Sequence, residues 1–114
     1  MLFFVRATIP TVGGNRMFFA GTMAPTLDEI VAKLKPQAIF FRAIEKGPTA
    51  GMKAINLLVE LENASQVKSV VEPLFAPMEA KVEYDQVVSH DELKAMLPTM
   101  EANVKKYGDD GRLG

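Results

Sequence analysis

Four segments of the chain have the apolar, β-branched and aromatic pattern that is typical of β-strands. They are residues 2–9, 38–44, 53–62 and 79–88. In the last of them, Ala80, Val82 and Tyr84 alternate with charged residues. This alternation predicts a half-buried strand at an edge of a sheet.

Three other segments repeat apolar residues with the spacing of an amphipathic helix. They are residues 26–35, 63–77 and 89–107. Thr26 with Glu29, and Ser89 with Glu92, have the spacing of capping boxes, which predict where the first and third helices begin. Pro98 lies inside the third segment and is expected to kink it.

The segment between the first strand and the first of these helices has no single interpretation. Gly13, Gly14 and Asn15 tolerate positive φ and predict a turn. The apolar run at residues 17–20 fits the second arm of a hairpin and a short helical turn equally well. The conformation of residues 11–25 therefore stays open at this point.

The order of the elements is β-α-β-β-α-β-α, and its first six members have the split βαβ, or ferredoxin-like, pattern. This order predicts an α+β fold in which an antiparallel sheet of four strands carries helices on one face. A length of 114 residues fits one domain. We expect residues 1–108 to form that domain, with an extra C-terminal helix. Residues 109–114 contain little apolar surface and are predicted to be a flexible tail.

Apolar residues occupy both faces of the predicted central strands. Helices on one face would leave four large side chains bare on the other: Leu2, Phe4, Phe40 and Leu58. Soluble monomers seldom expose a patch of this size. We expect a second copy to cover it by stacking sheet on sheet about a two-fold axis, as a homodimer or a larger ring. The alternative is a cover within one chain, by the third helix or by residues 17–23.

Charge and cysteine content exclude several classes of function. The 13 Lys and Arg are balanced by 14 Asp and Glu, and the basic residues form no cluster that would provide a surface for nucleic acid or an anionic membrane. The chain has no cysteine and one histidine, His90, which excludes thiolate chemistry and predicts no metal site. No apolar run approaches the roughly 20 residues that span a bilayer, and no signal peptide is visible. The cytoplasm is the expected compartment.

Three segments resemble those of muconolactone isomerases, a family of dimeric α/β-barrel proteins. Met-Leu-Phe-Phe-Val-Arg at residues 1–6 is similar to the family's first strand. Asn-Leu-Leu-Val-Glu-Leu at residues 56–61 is similar to its third strand, and Pro-Leu-Phe-Ala-Pro-Met at residues 73–78 to the segment before its last strand. The resemblance implies a ferredoxin-like protomer, sheet-to-sheet dimers or larger rings, and no cofactor.

The polar residues of that family are largely absent from this chain. Where the family's second strand has His-Leu-Trp-Arg, residues 39–42 are Ile-Phe-Phe-Arg, so only Arg42 matches. The family's His-Pro-Ser after its fourth strand is at best a shifted Ser-His-Asp at residues 89–91. Proton transfer on a lactone needs a positioned acid and base. The resemblance therefore implies a fold and does not carry the isomerase's catalytic residues over.

Two arginines are the candidates for holding an anion. Arg6 lies on a central strand with the parity of the bare face, where an unpaired guanidinium is costly. It either binds a ligand carboxylate in the bidentate manner that arginine favours, or pairs with Glu60 or Glu62 on a neighbouring strand. Arg42 presents the same alternative.

Aromatic and methionine side chains are the candidates for lining an apolar pocket between sheet and helices. Phe18, Met52 and Tyr84 are assigned to it, and the alternative is packing in the core or a dimer interface. Three functions follow. The chain binds a small, largely apolar molecule with a carboxylate, or is a cofactor-free isomerase of a lactone-like metabolite, or assembles with itself without a ligand.

Overall fold

A computed structural model of the protein describes residues 1–107. Its strands are β1 (Leu2–Ile9), β2 (Ala38–Ala43), β3 (Lys53–Glu60) and β4 (Lys81–Val87), which form one antiparallel sheet in the order β2-β3-β1-β4. Its helices are α1 (Thr11–Ala20), α2 (Met23–Leu34), α3 (Glu72–Phe75) and α4 (His90–Tyr107). The predicted ferredoxin-like α+β fold is confirmed. The predicted tail, residues 109–114, lies outside the described residues.

The two faces of the sheet differ in what covers them. The face that carries Phe3, Val5, Ile55 and Leu57 is buried beneath the helices, and we call it the core face. The helices add a second set of buried side chains to this core: Met17, Met23, Ile30, Leu34, Val67, Val71, Phe75 and Met78. The other face, which we call the open face, has no helix of the core packed on it.

The open face carries the apolar patch that the sequence predicted. The strand register places Leu58 between Ala38 and Phe4, in one row across three strands. Phe40 is 63% exposed, whereas Leu2, Phe4 and Leu58 are partly buried by their neighbours on the sheet.

Residues 11–20 form a helix, so the predicted turn at Gly13-Gly14-Asn15 is wrong and the helical alternative is correct. Both glycines are buried. A Cβ atom on Gly13 would overlap the backbone carbonyl oxygen of Met78, in a 3-10 turn that spans Ala76–Met78. These glycines therefore permit close packing of α1, and their φ angles are not positive. An ion pair joins α1 to the residue that follows this turn, since Arg16 Nη1 lies 2.9 Å from Glu79 Oε1.

Helix α2 begins three residues earlier than predicted. Thr22 is its N-cap and makes no capping hydrogen bond with its side chain, so the predicted capping box at Thr26 and Glu29 is wrong. Pro25 lies in the first turn, where the missing N–H would have no helical partner in any case. Glu29 instead forms an ion pair with Lys33 one turn later, with Lys33 Nζ 2.8 Å from Glu29 Oε1.

The second predicted helix is a composite. A π-helical turn over Val67–Val71 leads into α3, and the 3-10 turn Ala76–Met78 follows. The buried side chains are Val67, Val71, Phe75 and Met78. Val70, within the π-helical turn, is 38% exposed.

Helix α4 begins at the predicted capping box. The Glu92 N–H donates to Ser89 Oγ at 3.1 Å, and Ser89 Oγ donates to Glu92 Oε1 at 3.2 Å. None of the 18 residues of α4 is buried. Neither the third predicted helix nor residues 17–23 covers the open face. No residue of α4 is buried, and Met17 and Met23 belong to the core. Within residues 1–107, no helix has the length and apolar character needed to cross a membrane.

Candidate functional site

An apolar cavity of about 160 Å³ lies between the core face and the helices α1 and α2. Its walls are the end of β1, the start of β3, the middle of β2 and the facing sides of the two helices. The apolar side chains that line it include Ile9, Phe18, Met23, Leu27, Phe41 and Ile55. We refer to it as the α1 cavity.

The strand register brings the sheet residues of the α1 cavity together. Ile9 lies directly opposite Lys53, and Phe41 lies directly opposite Ile55. All four have the parity of the core face, and Ile9 and Lys53 lie at one end of the sheet, as the last residue of β1 and the first of β3. Phe41 is 61% exposed and Phe18 is 57% exposed, so the cavity opens to solvent between these two rings.

Lys53 is the one ionisable side chain among the described residues that line the α1 cavity. Its Nζ lies 5.3 Å from the centroid of the Phe18 ring, a cation–π distance that holds the ammonium beside the opening. Thr11 and Asn15, one turn apart on α1, add a hydroxyl and an amide to the lining. The cavity thus combines an apolar body with one positive charge and two neutral polar groups.

The sequence contained a signal for Lys53 that was not used. Lys53 has the same parity as Ile55, Leu57 and Val59 on the strand predicted at residues 53–62, so its side chain belongs to the core face. A charge on the core side of a strand end is solvated only if an opening lies beside it. That opening depends on α1, whose conformation the sequence left undecided.

The predicted pocket residues are divided between two places. Phe18 lines the α1 cavity, and Met52 lies between the lining residues Gly51 and Lys53, partly buried. Tyr84 has the parity of the core face, the same face as the cavity, but it lies on the edge strand β4, which contributes no residue to the cavity lining. It packs edge-on against Phe3, with the ring centroids 6.0 Å apart.

Both predicted anion-binding arginines lie on the open face. Arg6 is directly opposite Glu83 on β4, and its Nη2 lies 3.5 Å from Glu83 Oε2. The partner predicted for Arg6 was Glu60 or Glu62, but Glu60 accepts from the amino group of Met1 at 3.0 Å instead. Arg42 is exposed and lies opposite Ala54 on β3. The sheet therefore separates both arginines from the α1 cavity.

Acidic and histidine side chains do not gather at the cavity. Across residues 1–107, no three His, Asp or Glu side chains are close enough together to hold a metal ion. His90 is the first residue of α4 and is exposed, 3.9 Å from the carboxylate of its neighbour Asp91.

The fold has a counterpart among solved structures. The chain is similar to 5-chloro-2-hydroxyhydroquinone dehydrochlorinase from Burkholderia phenoliruptrix AC1100, solved in complex with 2,5-dihydroxybenzoquinone. The superposition has a TM-score of 0.52 at 19% sequence identity and covers 81% of this chain and 98% of the other. The likeness is one of fold, and it agrees with the ferredoxin-like architecture described above. No protein-family model and no curated protein matches the chain.

Proposed function

We propose that this protein binds a small, largely apolar molecule with an anionic group, such as a carboxylate or phenolate, in the α1 cavity. The observation that supports this most is one lysine at the opening of an otherwise apolar cavity. The apolar body of the ligand would lie against Phe18 and Ile55, and its anionic group would pair with Lys53. Such a combination of apolar walls and a few placed polar groups is typical of ligand sites.

The size of the α1 cavity supports a ligand built on a single ring. Its volume is about 160 Å³. An apolar cavity of about 150 Å³ is large enough to bind benzene. Substituents would extend through the opening between Phe18 and Phe41, where Lys53 is placed to meet a negative charge. The neighbouring structure, an enzyme of this fold, holds a ring compound with two acidic hydroxyls, and this supports the same ligand class here.

Binding of a ring acid tests the proposal, with 2,5-dihydroxybenzoquinone as the probe in a calorimetric titration. We expect the Lys53→Gln variant to bind about tenfold more weakly, because losing one partly exposed charge pair costs about 1.4 kcal/mol. The matched control is Arg42→Gln, which removes a positive charge from the open face and should leave the affinity unchanged.

The outcomes of this titration separate the two candidate anion sites. Loss of affinity in Arg42→Gln or Arg6→Gln, with Lys53→Gln unchanged, would place the anion on the open face as the sequence predicted, and would refute the role of Lys53. The involvement of Arg6, Arg42, Tyr84 and Met52 stays a prediction until then. Absence of binding by the unmodified protein to ring acids of this size would contradict the proposed function.

The open face supports a second part of the proposal, which is self-association as a homodimer. The patch formed by Leu2, Phe4, Phe40 and Leu58 is apolar, and no helix within residues 1–107 covers it. Stacking two such faces about a two-fold axis would bury both patches in one contact.

A cofactor-free enzyme acting on a small cyclic metabolite, such as a lactone, is the second candidate function. The likeness of the fold to that of a dehydrochlorinase favours it. Proton transfer needs an acid and a base, and Lys53 is a candidate for one of the two. Turnover of muconolactone by the titrated variants is the readout that distinguishes this candidate from binding alone.

A further inference from the structure

Helix α4 has an apolar stripe that no other element of residues 1–107 buries. Six large side chains follow one another at the spacing of one helix face: Leu93, Met96, Leu97, Met100, Val104 and Tyr107. Each is at least 39% exposed. An amphipathic helix of 18 residues gains most of its stability in proteins from packing its apolar face. The stripe therefore requires a partner surface.

The two edge strands of the sheet, β4 and β2, differ in the polarity of their exposed side chains. β4 carries charged side chains along its edge, Lys81, Glu83 and Asp85, all with the parity of the open face. β2 has the sequence Ala-Ile-Phe-Phe-Arg-Ala, and Phe40 and Phe41 are both more than 60% exposed although they point to opposite faces. A bare apolar edge of this kind invites pairing with other chains unless a helix or loop covers it. An element lying along the β2 edge would contact both phenylalanines.

The topology keeps α4 away from the β2 edge of its own chain. Val87, at the end of β4, is opposite Leu2, so α4 starts at the β4 edge. The β2 edge is three strand spacings away, roughly 14 Å. In a pair stacked through the open faces about a two-fold axis parallel to the strands, the β4 edge of one protomer lies over the β2 edge of the other. The ends of the strands coincide in this arrangement.

We propose that α4 of each protomer lies along the β2 edge of its partner and closes the opening of the partner's α1 cavity. From its start near Ala38 of β2, a helix of 18 residues extends about 27 Å, whereas six residues of β2 span about 20 Å. The helix is therefore long enough to reach Phe41 and the opening beside it. The closure of a ligand cavity by α4 rests on the proposed function. The packing of α4 on the β2 edge does not depend on it.

The area of contact favours a second copy as the occupant. The open face of four strands offers roughly 500 Å² per protomer, which is below the roughly 800 Å² per partner that standard interfaces bury. Exchange of α4 adds a helix footprint of roughly 270 Å² on each side and raises the contact to roughly 1,000 Å² per protomer. The open faces and the two helices together therefore satisfy what a stable dimer needs.

Disulfide trapping tests the position of α4, because the chain has no cysteine of its own. Two differently tagged chains are co-expressed, one carrying Phe41→Cys and the other Met96→Cys, Met100→Cys or Val104→Cys in turn. We expect at least one of these pairs to form an inter-chain disulfide upon mild oxidation, since this needs Cα atoms within about 7 Å. The matched control is Ala102→Cys, on the opposite side of α4, which should form several-fold less.

Two results would overturn the proposal. One is cross-linking of every stripe position at no more than the level of Ala102→Cys, with circular dichroism showing folded variants. The other is an intra-chain disulfide when Phe41→Cys and Met100→Cys are placed in one chain, with the mass of a monomer. Cross-linking without binding of a ring acid would refute the ligand proposal alone. Binding of a ring acid that is weakened by Lys53→Gln, without cross-linking of the stripe positions, would refute the α4 exchange alone.

Discussion

Replacing Phe75 with alanine should lower the free energy of unfolding by about 3–5 kcal/mol. The Phe75 side chain is fully buried at the end of α3, in the core cluster that also contains Phe3. Removing its ring leaves a cavity that the sheet and the composite helical segment cannot close without moving. Because domains of this size have about 5–15 kcal/mol of stability, the loss should be evident as a large shift of the denaturation midpoint.

The control for this variant is Val70→Ala, in the π-helical turn of the same segment. Val70 is partly exposed, so its truncation should cost less than about 1 kcal/mol. The free energies of unfolding of both variants are compared by urea denaturation, with the same dependence on urea concentration required of each. Equal losses in the two variants would show that Phe75 is not at the centre of the core.

Replacing Gly13 with alanine should destabilise the protein, against the usual effect of this substitution in a helix. Alanine normally stabilises a helix interior by up to about 1 kcal/mol over glycine. At Gly13 the new methyl group would overlap the backbone carbonyl oxygen of Met78. A backbone atom cannot move aside by a change of rotamer, as a side chain could. Overpacking of this kind costs about 1–3 kcal/mol, so we expect a net loss.

Gly14→Ala is the matched control for this second variant. A methyl group there would meet the Cγ2 atom of Ile9 at 3.4 Å, an ordinary contact distance. The helix preference of alanine should then prevail, and the variant should be as stable as the unmodified protein or slightly more so. A stabilising effect at Gly13 would contradict the close packing of α1 on the 3-10 turn.

The strands could be predicted because their pattern is local. In β1 the alternation of Phe3 and Val5 with Leu2 and Phe4 assigns each residue to one face, and the structure confirms both assignments. The same parity, with β3 and β2, predicted the apolar patch on the open face. Charged residues on β4 predicted its edge position in the same way.

The helices were harder to predict where tertiary contacts determine them. Gly13 and Gly14 lower helix propensity, and only the approach of the Met78 backbone explains why they are required. The predicted start of α2 was wrong because a capping box is only a local signal. The helix begins at Met23 and includes Pro25 in its first turn.

The candidate site could be predicted in type but not in position. An apolar pocket between sheet and helices was expected, and Phe18 lines the one described here. Its lysine was missed because the α1 cavity is formed by α1, whose residues the sequence left between helix and hairpin. The arginines were found from their parity on the strands, and the same parity places them on the other face of the sheet.

The apolar patch on the open face is the feature on which the dimer, the exchange of α4 and the closure of the cavity all depend. Sedimentation equilibrium of the purified protein at micromolar concentration tests it most directly. We predict twice the mass of the 12.5 kDa chain, and a reduced mass for Phe4→Glu, which places a charge at the centre of the patch. A mass of one chain at every concentration measured would contradict the account.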